Sequence, residues 1–335
     1  IMVPESAGFA VFTASLSHPS TAPVQIALGL ADVTATGGGV DYGSAGGANL
    51  QVSTDGGITW VSSTTATFAP GTTSVLVRTP VINDALDEVD ESMRLTANVT
   101  AGTTINTTAA GVATIVDTTA APDITINDVV VNEAAGIVTA TVSMSAASAQ
   151  TVMVTYISQD GTATSVSDYT PDAGTLTFAP GETVKTVSFV INNDGTFEGA
   201  EQFVVRLQGA INANILDGLG VMEIRDDGTG PGGVDNDAPL VSVSNMTVNE
   251  GSGPAVFAVS MSHPSTTPVD IALSLLDGTA LLGQDYAAGM QISTDGGATW
   301  VAGSSFTMAP GMIAALVRVP VINDALDEWD EQFSL

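Results

Sequence analysis

The chain has 335 residues, which is too long for one ordinary domain and suits two or three. Its formal net charge is -30, from 36 acidic and 6 basic residues, which excludes binding to nucleic acid and argues equally against anionic membranes. It has no cysteine, so disulfides and thiolate metal sites are excluded, while a hydrophobic fraction of 44% predicts a folded chain.

Three copies of one sequence pattern follow one another along the chain. The first and third copies both contain Ser-His-Pro-Ser, Ser-Thr-Asp-Gly-Gly and Val-Ile-Asn-Asp-Ala-Leu-Asp-Glu, and a more divergent copy lies between them. Such repetition predicts an array of similar domains. We place unit one at residues 1–119, unit two at residues 120–229 and unit three at residues 230–335. The pattern predicts that unit one lacks its first strand and unit three its last.

Alternating apolar and polar residues predict strands with one buried face in every unit. In unit two, residues 152–156 and 187–191 alternate in this way, and residues 77–81 and 317–321 match the second segment in the other units. Each unit also has an Ala-Pro-Gly triplet, which favours a turn after a strand. Several short strands per unit of about 100 residues predict an all-β chain of tandem immunoglobulin-like antiparallel sandwiches, about seven strands each.

The two connections between units differ in length and composition. Residues 117–122 are short and leave units one and two little freedom. Residues 226–239 are longer and rich in glycine, so we expect this connection to flex unless a ligand pins it. Because it carries Asp226, Asp227, Asp235 and Asp237, calcium is a candidate for that ligand.

Acidic residues recur in the same order in the three units, at strand ends and in loops. An early Glu precedes an Asp-Tyr pair, then an Asp-x-x-x-Glu-x-x-Glu segment, and then one or two closing Asp residues. The candidate ligands are Glu5, Asp41, Asp84, Glu88, Glu91 and Asp117 in unit one, Glu133, Asp168, Asp194, Glu198, Glu201, Asp226 and Asp227 in unit two, and Glu250, Asp285, Asp324, Glu328 and Glu331 in unit three.

These carboxylates are expected to meet, because the loops of a sandwich gather at its two ends. Without a cation, their mutual repulsion would cost several kcal/mol or force protonation. Calcium accepts about 6–8 oxygen ligands in flexible geometry and suits such loops, whereas magnesium requires strict octahedral geometry. Zinc is disfavoured because the chain has no cysteine and only two histidines. The sequence therefore predicts Ca2+ sites.

The order of these markers resembles the Calx-β family, which is known from sodium/calcium exchangers, integrin β4 and long bacterial surface proteins. The resemblance covers nearly the whole chain and implies calcium binding at one tip of each sandwich. Unit one departs from the pattern by closing with Asp117 alone, and the closing acids of unit three would lie beyond residue 335. Four further acids, Asp87, Asp90, Asp327 and Asp330, have no acidic counterpart in unit two, and we expect them to be solvated or secondary.

Two other motifs are interpreted structurally rather than catalytically. Residues 53–60 and 293–300 resemble the Asp-box hairpin, whose Asp and Gly shape a turn, and unit two lacks it. His18 and His263 lie in Ser-His-Pro-Ser turns without a nucleophile elbow or oxyanion loop. We therefore predict that the chain is not an enzyme.

The resemblance and the repetition together imply a calcium-stabilised extracellular array, structural or adhesive, such as an extender or surface filament of a large bacterial protein. The expected partners are neighbouring repeats of the same chain and, in a filament or surface layer, other copies. We expect no nucleic acid and no membrane insertion in this segment. Two alternatives stay open: calcium-sensing regulatory domains, and an accessory region of a large secreted hydrolase.

Overall fold

The computed structural model describes residues 1–324 and 328–335, and within them the chain is built of strands joined by loops and short 3-10 turns. The turns are Glu5–Ala7, Ala45–Gly47, Glu133–Ala135 and Glu250–Ser252. No helix in the described residues is long and apolar enough to cross a membrane. The expected all-β architecture is confirmed.

The strands of unit one form two sheets. They are β1 (Met2–Pro4), β2 (Phe9–Ser15), β3 (Val24–Asp32), β4 (Gln51–Ser53), β5 (Val61–Ser62), β6 (Thr65–Phe68), β7 (Ser74–Pro80), β8 (Glu91–Ala101) and β9 (Thr108–Val116). One sheet has the order β1-β9-β8-β3-β6 and the other β2-β7-β4-β5. All neighbours are antiparallel except β1 and β9. A buried apolar core lies between the two sheets.

Unit two has the same two-sheet construction. Its strands are β10 (Asp123–Ile126), β11 (Val129–Asn132), β12 (Ile137–Met144), β13 (Val152–Asp160), β14 (Ala173–Phe178), β15 (Val184–Val190), β16 (Ala200–Ile211), β17 (Asn214–Asp217) and β18 (Leu219–Arg225). The sheets have the orders β15-β12-β10-β17 and β11-β18-β16-β13-β14. The first and last strands are each divided, so that β10 and β17 join one sheet while β11 and β18 join the other. This division makes more strand segments than the seven expected.

Unit three repeats the pattern with shorter strands. They are β19 (Val241–Val243), β20 (Ala255–Met261), β21 (Val269–Ala272), β22 (Leu276–Asp277), β23 (Gln291–Ser293), β24 (Val301–Ala302), β25 (Ser305–Met308), β26 (Ala314–Val319) and β27 (Phe333–Ser334). The main sheet has the order β19-β20-β26-β23-β24, and β21 pairs with β25 and β22 with β27.

The predicted turns lie where the sequence placed them. In unit two the Ala-Pro-Gly triplet joins β14 to β15, with the amide of Glu182 donating to the carbonyl of Ala179 at 2.9 Å. Gly181 has φ +83°, a conformation that only glycine adopts without strain. Residues 53–60 form the expected hairpin, in which Asp55 accepts from Ser53 and Thr59.

The long connection between units two and three folds back onto unit two. Asn132 is buried at the end of β11, and its side-chain amide donates to the carbonyls of Thr229 and Asp235 at 3.3 and 3.0 Å. A Cβ at Gly233 would lie 2.5 Å from the Asn132 side-chain oxygen, so this close approach requires glycine. Asn132 thus holds the connection against unit two, and the expectation that a ligand also pins it stays a prediction.

The core of unit two is organised around an aromatic stack. Phe203 on β16 is buried, lies 3.9 Å from the parallel ring of Tyr169 and meets Phe189 edge-on at 5.5 Å. The Tyr169 hydroxyl donates to Asp160 at 2.7 Å, which satisfies its polar end. The stack thereby fixes the position of the residue before Tyr169, which is Asp168.

Truncating Phe203 tests this packing. Phe203→Ala should lower the free energy of unfolding of unit two by about 3–5 kcal/mol, because a buried ring is lost and a cavity is left. Scanning calorimetry of the whole chain would show one transition moving to lower temperature, while the exposed control Val184→Ala should leave all transitions in place. Equal effects of the two substitutions would contradict the packing described.

Candidate metal centre

Carboxylates from four separate segments of unit two meet at one end of its sandwich. Glu133, Asp168, Glu198, Glu201 and Asp226 line a cavity of about 10 Å³, with Gly199 and Ile224 completing the wall. A cavity of this size holds about one water-sized particle. Five acidic side chains around so small a space form a cage suited to a single cation.

Four of these side chains lie at strand ends, and Asp168 lies in the loop between β13 and β14. Glu133 begins the 3-10 turn that follows β11, and the Asn132 side chain caps that turn by accepting from Ala134 at 3.0 Å. Glu198 and Glu201 flank the start of β16, and Asp226 follows the last residue of β18. The fold therefore brings together residues that are up to 93 positions apart in sequence, as the gathering of sandwich loops predicts.

Backbone amides hold several of the carboxylates in place. The amide of Asp194 donates to Glu133 at 3.1 Å, and that of Glu198 donates to Asp226 at 3.1 Å. The amide of Thr164 donates to Asp168 at 2.6 Å. These contacts hold one oxygen each of Glu133, Asp168 and Asp226 in place.

The long connection supplies a sixth carboxylate. Asp237 is buried, and its amide donates to Asp226 at 3.2 Å. Oxygens of Glu133, Asp226 and Asp237 lie within 4.8 Å of one another, as do those of Asp168, Glu198 and Glu201. The second oxygens of Glu133 and Asp237 are buried without a hydrogen-bond partner. Unpaired buried carboxylate oxygens are costly, and a divalent cation would satisfy them.

Crowding and burial change the acidity of this group. Burial, with the charges of Asp226, Asp194 and Glu198, raises the pKa of Glu133 to about 8, although the Asp194 amide opposes the shift. Burial, with the charge of Asp168, raises the pKa of Glu198 and of Glu201 to about 7. Carboxylates with such pKa values repel one another strongly when ionised, which is the condition that a bound cation relieves.

Unit one has the same arrangement with fewer acids. Glu5 begins a 3-10 turn and is buried, and the amide of Glu88 donates to Asp117 at 2.8 Å, as Glu198 does to Asp226. Burial, with the charge of Asp117, raises the pKa of Glu5 to about 7, and burial with a hydrogen bond to Asp41 raises that of Glu91 to about 7. One oxygen each of Glu5 and Glu91 is buried without a partner.

In unit three the described acids are more exposed. Oxygens of Asp285, Glu328 and Glu331 lie within 4.8 Å of one another. Glu250 begins a 3-10 turn, like Glu5 and Glu133. Among the described residues, such groups of three occur in units two and three, and unit one has its acids farther apart.

Ten of the eighteen predicted ligands lie outside these groups of three, namely Glu5, Asp41, Asp84, Glu88, Glu91, Asp117, Asp194, Asp227, Glu250 and Asp324. Asp84 and Asp194 are exposed, and each accepts from a backbone amide two residues later at 2.7 Å. Asp227 is also exposed, and hydrogen bonds from Thr229 lower its pKa. A role for these three as ligands stays a prediction.

The structure differs from the sequence expectation at Asp87. We expected a solvated side chain or a secondary ligand, but Asp87 is buried and accepts from Ser148 of unit two at 2.7 Å. Asp90 and Asp330 are exposed, and Asp327 lies outside the described residues. The burial of Asp87 arises from contact between units, which no pattern within one unit reveals.

Comparison with known proteins settles the family. Residues 117–217 and 235–335 each match the model of the Calx-beta domain, and together they make up more than half of the chain. The chain belongs to the Calx-beta domain family. The expected resemblance is thereby confirmed, and the chain contains Calx-beta domains in tandem.

Known Calx-beta relatives are much longer than this chain. Sodium/calcium exchanger 2 of Rattus norvegicus is 35% identical over 115 residues, which are 34% of this chain and 12% of the exchanger. Extracellular matrix organizing protein FRAS1 of Mus musculus is 27% identical over 214 residues, which are 61% of this chain and 5% of that protein. The chain thus spans a small part of the length of either relative.

Solved structures include similar domains. The crystal structure of the Calx CBD1 domain in its apo form is 24% identical, with 32% of this chain and 97% of that chain covered and a TM-score of 0.31. The structure of CBD12 from CALX1.2 is 19% identical, with 67% and 96% covered and a TM-score of 0.30. Scores this low support no inference about function.

The acidity of Glu133 yields a pH prediction for the chain in a chelator. Because its pKa is raised from 4.5 to about 8, folded unit two binds more protons than the unfolded chain between those values. The contribution of Glu133 to the stability of unit two should therefore be full below pH 4.5 and be lost as the pH rises through 8. Melting temperatures measured from pH 5 to 8 should decline in the wild type and decline less in Glu133→Gln.

A matched control separates this effect from general acidity. Glu182 is an exposed acid whose pKa is lowered by its contact with Lys185 at 2.7 Å. In Glu182→Gln the melting temperature should decline above pH 5 as steeply as in the wild type. A decline in Glu133→Gln as steep as in the wild type would contradict the assignment to Glu133.

Proposed function

We propose that the chain is a calcium-stabilised structural array in which ions held at the sandwich ends offset the acidic charge. The observation that carries this proposal is the cage of unit two, where buried oxygens of Glu133 and Asp237 have no partner. Oxygen-only ligands, several carboxylates and irregular loop geometry favour calcium over zinc or magnesium. The family relationship supports it, since a relative is named a sodium/calcium exchanger.

Two groups of carboxylates in unit two would bind the ion from opposite sides of the cage. Glu133, Asp226 and Asp237 would hold one side of the cage, and Asp168, Glu198 and Glu201 the other. The amides of Asp194 and Glu198 would keep two of these carboxylates oriented. A bound ion would supply positive charge only, so we infer a structural role rather than a catalytic one.

The setting that we propose is extracellular, as part of a surface array whose units extend from one another. The likeness of units one and three and an almost lysine-free, strongly acidic composition suit a spacer. The name of FRAS1, an extracellular matrix organizing protein, also supports an extracellular setting. Neighbouring repeats are the proposed partners, and other copies would be partners in a filament or surface layer.

A calcium-sensing role is the second candidate, because of the 35% identity to sodium/calcium exchanger 2. A sensor would change the relative orientation of its units when calcium binds, whereas a spacer would gain stability and keep its shape. Small-angle X-ray scattering with and without calcium separates the two: an unchanged maximum dimension favours the spacer, and a changed one favours the sensor.

Thermal unfolding tests calcium binding directly. Calcium at 100–1,000 times its dissociation constant should raise the free energy of unfolding of the wild-type chain by about 3–4 kcal/mol. The reference is the same chain in a chelator at the same ionic strength, and millimolar calcium is the concentration to use. Asp226→Asn should lose the part of this gain that belongs to unit two, because Asp226 lines the cage. Glu182→Gln, an exposed acid outside the cage, should keep the full gain. An equal gain with magnesium, or none with calcium, would contradict the proposal.

A further inference from the structure

The two connections between units use the same backbone contact. We call residues 84–91 and 194–201 the acid loops, and residues 146–150 and 263–267 the serine turns. The amide of Ala149 donates to the carbonyl of Asp87 at 2.9 Å, and that of Thr266 donates to the carbonyl of Phe197 at 2.9 Å. Asp87 and Phe197 occupy the same place in their acid loops, directly before Glu88 and Glu198.

The serine turn forms even where no neighbouring unit contacts it. In units one, two and three, Ser20, Ser148 and Ser265 each accept with the side chain from the amide two residues later, at 3.0 to 3.1 Å. Ser148 and Ser265, which face an acid loop, are each 1% exposed. Ser20, which faces none in this structure, is only half-buried. The turn therefore keeps the same hydrogen bond with or without a neighbour, and in units two and three the acid loop of the preceding unit covers it.

The side chain that meets the serine turn differs between the two connections. Asp87 is 6% exposed, and its carboxylate accepts from the Ser148 hydroxyl at 2.7 Å and from the Gln150 amide at 3.3 Å. The same hydroxyl also approaches the Asp87 carbonyl at 3.1 Å. These contacts satisfy a buried charge with donors that come only from the next unit.

The Phe197 ring makes no hydrogen bond at the second connection, where the Thr266 hydroxyl donates to the Phe197 carbonyl at 3.4 Å. The Phe197 amide donates to the carbonyl of Pro264 at 2.8 Å, a contact that the first connection does not repeat. Thr267 stands in unit three where Gln150 stands in unit two, so the amide donor is missing there. Instead, the Asp237 carboxylate lies 3.5 Å from His263 in the same turn.

We propose that the residue at position 87 or 197 of the acid loop selects the unit that follows it. Aspartate fits a serine turn that offers a glutamine amide, and phenylalanine fits a turn that offers threonine and no amide donor. The two connections then differ, and each acid loop fits the serine turn of its own neighbour.

Exchanging the two side chains would change which donors are paired at each connection. A phenyl ring at position 87 would leave the Ser148 hydroxyl and the Gln150 amide without their carboxylate. A carboxylate at position 197 would meet hydroxyls of the serine turn but no side-chain amide, because Thr267 stands in place of Gln150. Each acid loop is therefore matched to its neighbour by the donors that the serine turn offers.

The Asp87 contact does not depend on a metal ion. Asp87 belongs to none of the three carboxylate groups that could hold one, and its donors are a hydroxyl and an amide. The first connection should therefore stay rigid in a chelator. This separates the proposal from calcium binding, since either can fail without the other.

The test measures the spread of distances between spin labels on neighbouring units of the whole chain. The natural chain has no cysteine, so the exposed sites Val61, Leu216 and Val301 can each be changed to cysteine and labelled in pairs. In a chelator, Asp87→Ala should broaden the 61–216 distance distribution and leave 216–301 unchanged. Asp87→Phe should broaden 61–216 at least as much, and Phe197→Asp should broaden 216–301 alone.

The matched control is Asp90→Ala, which removes an exposed acid from the same acid loop. It should leave both distributions as in the wild type. Circular dichroism identifies any variant that fails to fold, and Asp87→Asn then replaces Asp87→Ala as the milder change. A 61–216 distribution that stays narrow in Asp87→Ala or in Asp87→Phe would overturn the proposal, as would equal broadening by Asp90→Ala.

Discussion

Repulsion among buried carboxylates is the constraint on which the rest of this structure depends. The fold of unit two drives Glu133, Asp168, Glu198, Glu201 and Asp226 around one small cavity, and Asp237 closes it. Their ionised forms are unstable together in a dry, confined space, so they must gain protons or share a cation. The raised pKa of Glu133 and the unpaired oxygens of Glu133 and Asp237 both follow from this crowding.

The same end of the sandwich also builds the connection to the next unit. Asn132 caps the turn that presents Glu133, and its other hydrogen bonds hold the glycine-rich connection against unit two. That placement delivers Asp237 to the cage and to His263 of unit three. In unit one Pro4 occupies the place of Asn132, and the connection is short. The ion cage and the joint are therefore parts of one construction in unit two.

Much of this could be predicted because it is local or repeated. Alternation over residues 152–156 and 187–191 indicated strands, and the shared order of acids placed Glu133, Asp168, Glu198, Glu201 and Asp226 together. The role of Asp237 was less accessible, because a glycine-rich segment separates it from Asp226 and its return path depends on Asn132. Asp87 was mistaken for a solvated acid because its donors, Ser148 and Gln150, belong to another unit and leave no pattern in its own.

The most direct test of the central claim is to crystallise the chain with calcium and measure anomalous scattering from the bound ions. We expect a peak within the cavity lined by Glu133, Asp168, Glu198, Glu201 and Asp226, with an oxygen of Asp237 among the ligands. A fully ordered cavity that holds only water, with calcium absent from the surrounding carboxylates at millimolar concentration, would contradict it.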